Sequence, residues 1–517
     1  MSSVPPAHDP DPWFEVEAVR ADLRARSVRS GALAMGARGA QILLNFAAVV
    51  VLARLLRPED FGVLALVLPL TILYRTIANG GLQNSVMHEE ALDHEKTTAL
   101  FWSASAVNLV FAIVFMSAGP LLAWLYEDSR ATGVALIWAP VLFLATLSAV
   151  HEGLLKRQLR FGGLLFAHLT GILLGIIVAI AAAVLGAGYW ALLLQVIVAD
   201  LFRTVAVWRL CEWRPSLRFS RDALRAAGPV RRYWRDLAAA RFLNWLAQHP
   251  DRILVGRVGG TAMLGLYDSG RRWAFYPFFE LFMALSDVAV ATFSRVAGDA
   301  ERFRAVVRRG LLPMFALPLP AIAFIFVEAR DAVLLLLGQQ WLGAVPFVRL
   351  MCLASFFGGL SRVTQWFYLA RGETDRQLRW ATLVQTPVML VSVLVGSRWG
   401  AIGVAAGFAT GNALLAIPSV AWCLRGSPFR LRDFMSTAAR PALGALAAAA
   451  ALTAIPPVLS ESLAAVPRFL AHFAIFAAVY LSAWLGLPGG RRATADVLAA
   501  LRELRRSPVR LAEPPAQ

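Results

Sequence analysis

Apolar residues are grouped along this chain into runs that each approach the roughly 20 residues a helix needs to cross a bilayer. Polar or glycine-containing segments separate neighbouring runs. The pattern predicts an all-α integral membrane protein of about 14 transmembrane helices, and an even number of spans places both termini on one side. The predicted spans are 31–53, 61–85, 98–119, 131–153, 163–186, 189–210, 236–258, 263–291, 308–328, 346–370, 379–397, 401–424, 440–458 and 469–487.

Arginine and lysine are concentrated in alternate connecting segments. The segments between them, such as 186–188 and 259–261, are short and carry almost no cations. Cytoplasmic loops of membrane proteins are enriched in Lys and Arg, so we expect the basic side and both tails to be cytoplasmic, in a bacterial inner (plasma) membrane. The basic segments are 154–161, 212–235, 292–307 and 371–379.

Composition agrees with this pattern and narrows the function classes. Only 16% of the residues are charged and the mean hydropathy is +0.61, whereas a soluble protein averages about 25% charged residues. The net charge of +17 is explained by basic loops, so we expect no nucleic-acid partner. The three cysteines have no metal-ligand spacing, and we expect each to be buried or lipid-facing.

Several enzyme signatures are missing from the sequence. There is no GxxxxGK[ST] motif for nucleotide phosphates, and no HExxH or GxSxG motif. The acidic pair Glu59-Asp60 follows Pro58 between the first two spans, where turn chemistry is the expected role. We therefore expect no enzyme activity, no catalytic residue, no metal and no cofactor.

A shift of 203 positions brings two parts of the chain into register. Arg54 then falls on Arg257 and Gly62 on Gly265, and a somewhat larger shift aligns 157–161 with 376–380. These matches predict that spans one to six and seven to twelve are two copies of one unit. Six helices are an even number, so the copies share one orientation and are related by an axis along the membrane normal.

This repeat predicts the domain organisation, with two parallel six-helix lobes and a C-terminal helix pair. The predicted bounds are 1–30 for a cytoplasmic N-terminal tail, 31–211 for the N-lobe, 212–235 for a basic cytoplasmic linker, 236–425 for the C-lobe, 426–487 for the last two spans and 488–517 for a cytoplasmic C-terminal tail.

Two repeat-related spans carry matching polar stripes with spacing i, i+3, i+7, which places the members of each stripe on one helix face. Polar residues inside a membrane usually face a protein interior or a water-filled cavity, so we expect both stripes to line a central substrate cavity. The alternative is that the stripes pack helix against helix while their arginines reach the cytoplasmic interface. The stripes are Arg38, Gln41 and Asn45 in the first span and Arg241, Asn244 and Gln248 in the seventh.

Other spans also contain charged and amide side chains. We add Arg75 and Arg271 to the candidate substrate-binding residues, and at most one member of the Arg271-Arg272 pair is expected to face a cavity. For ion coupling the candidates are Asp200, Asp251 and Asp268. Asp268 has one member of the Arg271-Arg272 pair as its alternative partner, and Asp200 has Arg203 at i+3. Arg362 and Gln365 lie in the tenth span without an assigned role. The excess of arginine over acid favours an anionic substrate, because arginine binds phosphate with two bonds and keeps its charge.

Several motifs resemble one family of membrane proteins, in the same order along residues 27–430. Residues 52–62, LARLLRPEDFG, resemble the signature that ends its first helix, and 155–161, LKRQLRF, resemble its basic loop after helix four. Residues 251–257, 264–267 and 338–341 resemble its seventh-to-eighth helix junction and an outer loop. The chain is similar to the Wzx/WzxC-type polysaccharide flippases of the multidrug/oligosaccharidyl-lipid/polysaccharide exporter superfamily, which includes the MATE-like transporters.

The resemblance implies a function. Such proteins move undecaprenyl-pyrophosphate-linked oligosaccharides from the cytoplasmic to the periplasmic leaflet by alternating access of two lobes, for lipopolysaccharide O-antigen, capsule or exopolysaccharide. The implied partners are this lipid-linked oligosaccharide, membrane lipids, and polysaccharide polymerase and export machinery. In related lipid II flippases arginines of helices one, two and eight bind pyrophosphate, which carries over to Arg38, Arg75 and Arg271. A cation-coupled multidrug exporter and a polysaccharide polymerase or ligase are the alternatives.

Overall fold

The structure is a computed structural model, and it describes residues 13, 23–80, 92–217, 249–296, 298–455, 464–486, 490 and 494. Every regular element in this described part is helical. The described residues form two compact units, one up to residue 217 and the other from residue 249 onward. The division into six, six and two spans with the bounds given above stays a prediction.

Within the described residues the first unit is built from seven helices. They are α1 (Leu23–Leu55), α2 (Pro58–Gly80), α3 (His94–Tyr126), α4 (Arg130–Thr146), α5 (Ala149–Arg157), α6 (Phe161–Val184) and α7 (Tyr189–Leu210).

The second unit contains longer and more interrupted helices, with a 3-10 turn over Gln339–Ala344 and a π turn over Ala381–Gln385. The helices are α8 (Pro250–Arg295), α9 (Ala300–Ala316), α10 (Pro318–Val327), α11 (Ala329–Leu336), α12 (Val345–Arg362), α13 (Thr364–Arg371), α14 (Thr374–Trp380), α15 (Thr386–Ser397), α16 (Gly400–Cys423), α17 (Leu431–Thr453) and α18 (Ala465–Gly486).

Each predicted span overlaps a helix of the structure, although 236–248 lie outside the described residues. Among the described residues, ten helical segments are long and apolar enough to cross a membrane, or eleven if a bent pair within α8 counts as one span. The prediction of an all-helical multi-pass membrane protein is confirmed, and the count of fourteen stays a prediction.

Two helix junctions fall on repeat-related positions. Arg57 lies between α1 and α2, and α8 leaves the helical conformation at Gly260, where φ is 70° and ψ is −175°. Positions 57 and 260 are 203 residues apart, which is the shift that aligns the two copies in sequence. A positive φ favours glycine at the second junction. At the first, Asp60 Oδ2 accepts a hydrogen bond from the Arg57 backbone N at 2.9 Å, which confirms the turn role predicted for Asp60.

Glycines allow two helix pairs to pack at very short distances. A Cβ atom on Gly175 of α6 would lie 2.3 Å from the carbonyl oxygen of Gln195 on α7. Similarly, a Cβ atom on Gly407 of α16 would lie 2.2 Å from the carbonyl oxygen of Ser392 on α15. Small residues at such crossings let membrane helices gain van der Waals contact, so these glycines set the spacing of each pair.

The last helix, α18, is attached to the rest of the second unit by polar side-chain contacts as well as by apolar packing. Arg468 on α18 binds both carboxylate oxygens of Asp331 on α11, at 2.6 and 2.8 Å. One turn later, His472 Nδ1 lies 2.9 Å from Glu328 Oε1. The two contacts hold α18 beside α11.

Two sequence predictions about loops and thiols can be compared with the structure. The basic segments 292–307 and 371–379 are partly helical, since α9 and α14 occupy much of them. Arginine is a good helix former, so a basic segment need not be a coil.

All three cysteines are buried, as predicted.

Candidate substrate-binding site

Arg75 on α2 and Asp200 on α7 form a two-point ion pair inside the first unit. Arg75 Nη2 donates a short hydrogen bond to Asp200 Oδ2, and its Nη1 lies 3.5 Å from Oδ1. Arg203, one turn further along α7, lies 3.8 Å from Asp200 and 3.8 Å from Glu152 of α5. The i, i+3 pair predicted for Asp200 is therefore present, but Arg75 is the closer partner. Two arginines face two carboxylates here, so the charges of this cluster balance.

The polar stripe of α1 lies on an accessible part of the helix. Arg38 and Asn45 are exposed and Gln41 is half-buried, while Leu52 on the same helix is buried in an apolar cluster with Ala179 of α6. The role of this stripe in substrate binding stays a prediction. Its predicted counterpart, Arg241, Asn244 and Gln248, lies outside the described residues.

The second unit neutralises Arg271 with a fully buried carboxylate. Asp251 lies at the start of α8, and its side chain has no exposed surface. Its Oδ2 accepts short hydrogen bonds from the Tyr267 hydroxyl and from Arg271 Nη1. The other face of the Arg271 guanidinium lies over the ring of Phe408, 4.8 Å from its centroid. Arg271 therefore closes the α8 segments around an internal ion pair.

Asp268 is likewise engaged by arginines of α8. Arg252 donates two bonds to Asp268 Oδ1, from Nε at 2.8 Å and from Nη2 at 2.5 Å. Arg272 Nη2 lies 3.5 Å from Asp268 Oδ2, although the Arg272 side chain is 43% exposed. The pairing of Asp268 with one member of the Arg271-Arg272 pair, which the sequence left open, is thus present through Arg272, and Arg252 is a further partner that the sequence did not indicate. The members of the Arg271-Arg272 pair bind different carboxylates, in agreement with the expectation that they do not face the same way.

All three candidate ion-coupling carboxylates, Asp200, Asp251 and Asp268, therefore carry arginine partners. A carboxylate that already binds a guanidinium attracts an inorganic cation or a cationic drug less strongly, because its charge is compensated. Their role in ion coupling stays a prediction.

Arg362, at the end of α12, is a functional candidate that the sequence interpretation left without a role. Its Cζ atom lies 6.0 Å and 5.9 Å from the ring centroids of Phe279 and Phe282 on α8. Among the described residues, no carboxylate oxygen lies within 4.0 Å of its guanidinium. The sequence shows that Arg362 is a charged residue in a predicted span. Only the structure shows that, unlike Arg252, Arg271 and Arg272, it has no carboxylate partner among the described residues.

Comparisons with known proteins place these features in a family. A family model described as "Polysaccharide biosynthesis protein" matches residues 51–346, which is more than half of the chain. This chain belongs to that polysaccharide biosynthesis family. The resemblance inferred from the motifs at 52–62 and 155–161 is therefore confirmed.

Two curated relatives of this family member are named for work on surface polysaccharides. The succinoglycan biosynthesis transport protein ExoT of Rhizobium meliloti is 27% identical over 312 residues, which are 60% of this chain and 62% of ExoT. The lipopolysaccharide biosynthesis protein WzxC of Escherichia coli is 23% identical over 376 residues, 71% of this chain and 74% of WzxC. The match thus spans somewhat less than two thirds of ExoT.

A solved structure supports the fold assignment of this polysaccharide biosynthesis protein. The lipid II flippase MurJ, in an inward closed conformation, superimposes with a TM-score of 0.66 at 15% identity. The alignment covers 87% of this chain and 98% of the MurJ chain. The helical fold implied by the motif resemblance is confirmed by this likeness, which concerns the fold alone.

Proposed function

We propose that this family member moves oligosaccharide units linked to undecaprenyl pyrophosphate from the cytoplasmic to the periplasmic leaflet by alternating access. The observation that carries the proposal is the excess of arginine over acid in the cluster around Asp251 and Asp268 of the second unit. Two carboxylates, Asp251 and Asp268, are surrounded by Arg252, Arg271 and Arg272, and Arg362 stands apart from both. A cationic surplus in membrane-spanning helices favours an anionic cargo.

The pairing of the carboxylates argues against the alternative of a cation-coupled multidrug exporter. A cationic drug would need an acidic group that is available to it, whereas Asp200, Asp251 and Asp268 are each bound by arginine. The polymerase or ligase alternative would need catalytic groups in an outer loop. Within the described residues, α6 and α7 are separated only by residues 185–188, and α15 and α16 by 398–399.

The location and partners follow from the proposed direction of transport. We place the protein in the bacterial inner membrane with both termini in the cytoplasm, where the lipid-linked units are assembled. Polysaccharide polymerase and export machinery would take over the units on the periplasmic side. Arg38, Gln41, Asn45 and Arg75 are proposed as substrate contacts in the first unit, together with Arg241, Asn244 and Gln248 of the seventh predicted span.

Translocation by purified protein tests this function directly. Proteoliposomes would contain a fluorescent oligosaccharide linked to undecaprenyl pyrophosphate, and an impermeant quencher added outside would report the share in the outer leaflet. We expect the inner-leaflet pool to become accessible within minutes, and to remain protected in liposomes without protein. Equal accessibility in both preparations would contradict the flippase assignment. Chain extension of the oligosaccharide by the purified protein would instead favour the polymerase alternative.

A further inference from the structure

The guanidinium of Arg362 lies in an apolar part of the second unit. Phe279 and Phe282 of α8 both place their rings about 6 Å from its Cζ atom, at 6.0 and 5.9 Å. Phe282 is buried and stacks on Trp366 at 5.2 Å, so this wall of the site is rigid. Phe279 is 43% exposed and leaves an apolar surface beside the charge.

The other arginines of this region differ from Arg362 in their partners. Arg252 and Arg272 contact Asp268, and Arg271 contacts Asp251. Within the described residues, Arg362 has neither a carboxylate within 4.0 Å nor a hydrogen-bond acceptor.

Arg362 is half-buried beside two phenyl rings, so its charge is partly desolvated, which is costly unless an anion completes its contacts. Arginine remains charged in proteins, so it does not escape desolvation by losing its proton. Contact with an aromatic face returns about 0.5–2 kcal/mol, whereas an ion that leaves water loses several kcal/mol. A phosphate oxygen pair would satisfy the planar donor edge of the guanidinium with two parallel bonds.

We propose that Arg362 binds the pyrophosphate group of the lipid-linked substrate, and that Arg271 is a positioning residue held by Asp251 rather than a direct substrate ligand. This inference rests on the proposed function and refines it. The exposed ring of Phe279 beside the guanidinium suits an anion attached to a hydrocarbon chain, because the first prenyl carbons follow the pyrophosphate directly. A free inorganic anion would make no use of that surface.

The chain offers a matched control for this residue. Arg349 lies on the same helix, α12, and its side chain is exposed. Arg349→Gln removes the same charge from the same helix without touching the phenyl-lined site. Arg362→Gln removes the charge at the site, and Arg362→Lys keeps the charge but loses the two-bond geometry.

Binding to the full-length protein in nanodiscs is the decisive measurement, with geranylgeranyl pyrophosphate as the probe and geranylgeraniol as its uncharged analogue. We expect Arg362→Gln to weaken pyrophosphate binding by about tenfold to hundredfold, which is the range for a lost charge-assisted contact. Arg362→Lys should fall between Arg362→Gln and the unaltered protein, and Arg349→Gln should bind normally. Geranylgeraniol should bind all four proteins alike. Inorganic pyrophosphate should bind more weakly than the prenyl form.

A structural role for Arg362 would give a different result. If the residue only supports the fold, Arg362→Gln should lower Tm and weaken the alcohol and the pyrophosphate equally. An unpaired charge predicts the opposite, namely a Tm that is unchanged or higher in Arg362→Gln. Unchanged pyrophosphate affinity in Arg362→Gln, or equal losses in Arg362→Gln and Arg349→Gln, would overturn the assignment.

The leaflet assay separates this inference from the proposed function. If Arg362→Gln and the unaltered protein flip the substrate at the same rate, the role of Arg362 is refuted and the flippase function stands. If pyrophosphate binding depends on Arg362 but the unaltered protein does not flip the substrate, the flippase function is refuted and the anion site stands.

Discussion

At the scale of single residues, the charges inside the spans sort into pairs rather than into one continuous cationic surface. Asp251 is fully buried against Arg271 and Tyr267, and Asp200 binds Arg75 across α2 and α7. Removing one member of a buried pair leaves an uncompensated charge, whereas removing both leaves two neutral groups. These pairs therefore have a structural role that can be measured apart from transport.

The Asp251–Arg271 pair yields the first prediction. Asp251→Asn and Arg271→Gln should each destabilise the protein by about 3–5 kcal/mol, because the remaining partner is charged and buried. The double variant Asp251→Asn/Arg271→Gln should recover most of that loss. Tm in a fixed detergent, followed by tryptophan fluorescence, measures all three variants. Losses that simply add in the double variant would contradict a structural pair.

The Arg75–Asp200 pair yields a second prediction at this scale. Arg75 is 32% exposed, so a substrate can reach it, and Arg75→Gln should lower flipping in the leaflet assay. Because the Arg75–Asp200 pair is more exposed than the Arg271–Asp251 pair, the loss of stability should be smaller than for Arg271→Gln, and we expect a smaller decrease in Tm. A Tm decrease in Arg75→Gln as large as that in Arg271→Gln would assign Arg75 to the fold rather than to the substrate.

At the scale of elements, two features recur in the two units. A helix junction occurs at Arg57 in the first and at Gly260 in the second, 203 residues later. Glycine-mediated packing joins α6 to α7 and α15 to α16, the helix pairs that match the fifth and sixth and the eleventh and twelfth predicted spans. The close backbone contact sets the spacing of each pair, so a larger residue at either glycine should lower stability.

Gly407→Ala tests the packing of α15 on α16. The added Cβ would lie 2.2 Å from the Ser392 carbonyl oxygen, so the helices must separate, at a cost of about 1–3 kcal/mol or more. We expect a clear decrease in Tm. Gly133→Ala in α4 is the matched control, because a Cβ atom there meets nothing within 4 Å and alanine favours the helix. A Gly407→Ala protein as stable as Gly133→Ala would show that the backbone contact is not needed.

At the scale of the whole molecule, the alternation of basic and neutral segments predicts which connections face each compartment. Leu185, between α6 and α7, is 86% exposed and lies in a connection with no basic residue. Glu301, at the start of α9, is exposed and lies in the basic segment 292–307. The positive-inside rule predicts that Leu185 lies on the periplasmic side of the membrane and Glu301 on the cytoplasmic side.

Cysteine labelling tests this orientation. We expect Leu185→Cys to react with a membrane-impermeant maleimide in spheroplasts, and Glu301→Cys to react only after the membrane is permeabilised. The unaltered protein is the background control, because Cys211, Cys352 and Cys423 are all buried. The reverse labelling pattern would invert the predicted topology and the proposed direction of transport.

The sequence by itself determined the class of the protein, its helical character and its family, and it predicts the repeat. These features depend on local properties: a span is recognised by about 20 apolar residues, a basic loop by its arginines, and the family by ordered motifs such as LARLLRPEDFG. Even the repeat shift of 203 residues, read from Arg54 and Arg257, predicts where the helix junctions lie.

Only the tertiary structure decided which charges remain available. In sequence, Arg75, Arg271 and Arg362 are equivalent cations in apolar spans. The carboxylate that binds Arg75 lies 125 residues away along the chain and the one that binds Arg271 lies 20 residues away, so the sequence does not reveal either pair. Helix packing brings Asp200 to Arg75 and Asp251 to Arg271, and it places two phenyl rings beside Arg362. Coulomb energy depends on distance in space rather than along the chain, so the candidate anion site emerges only from the fold.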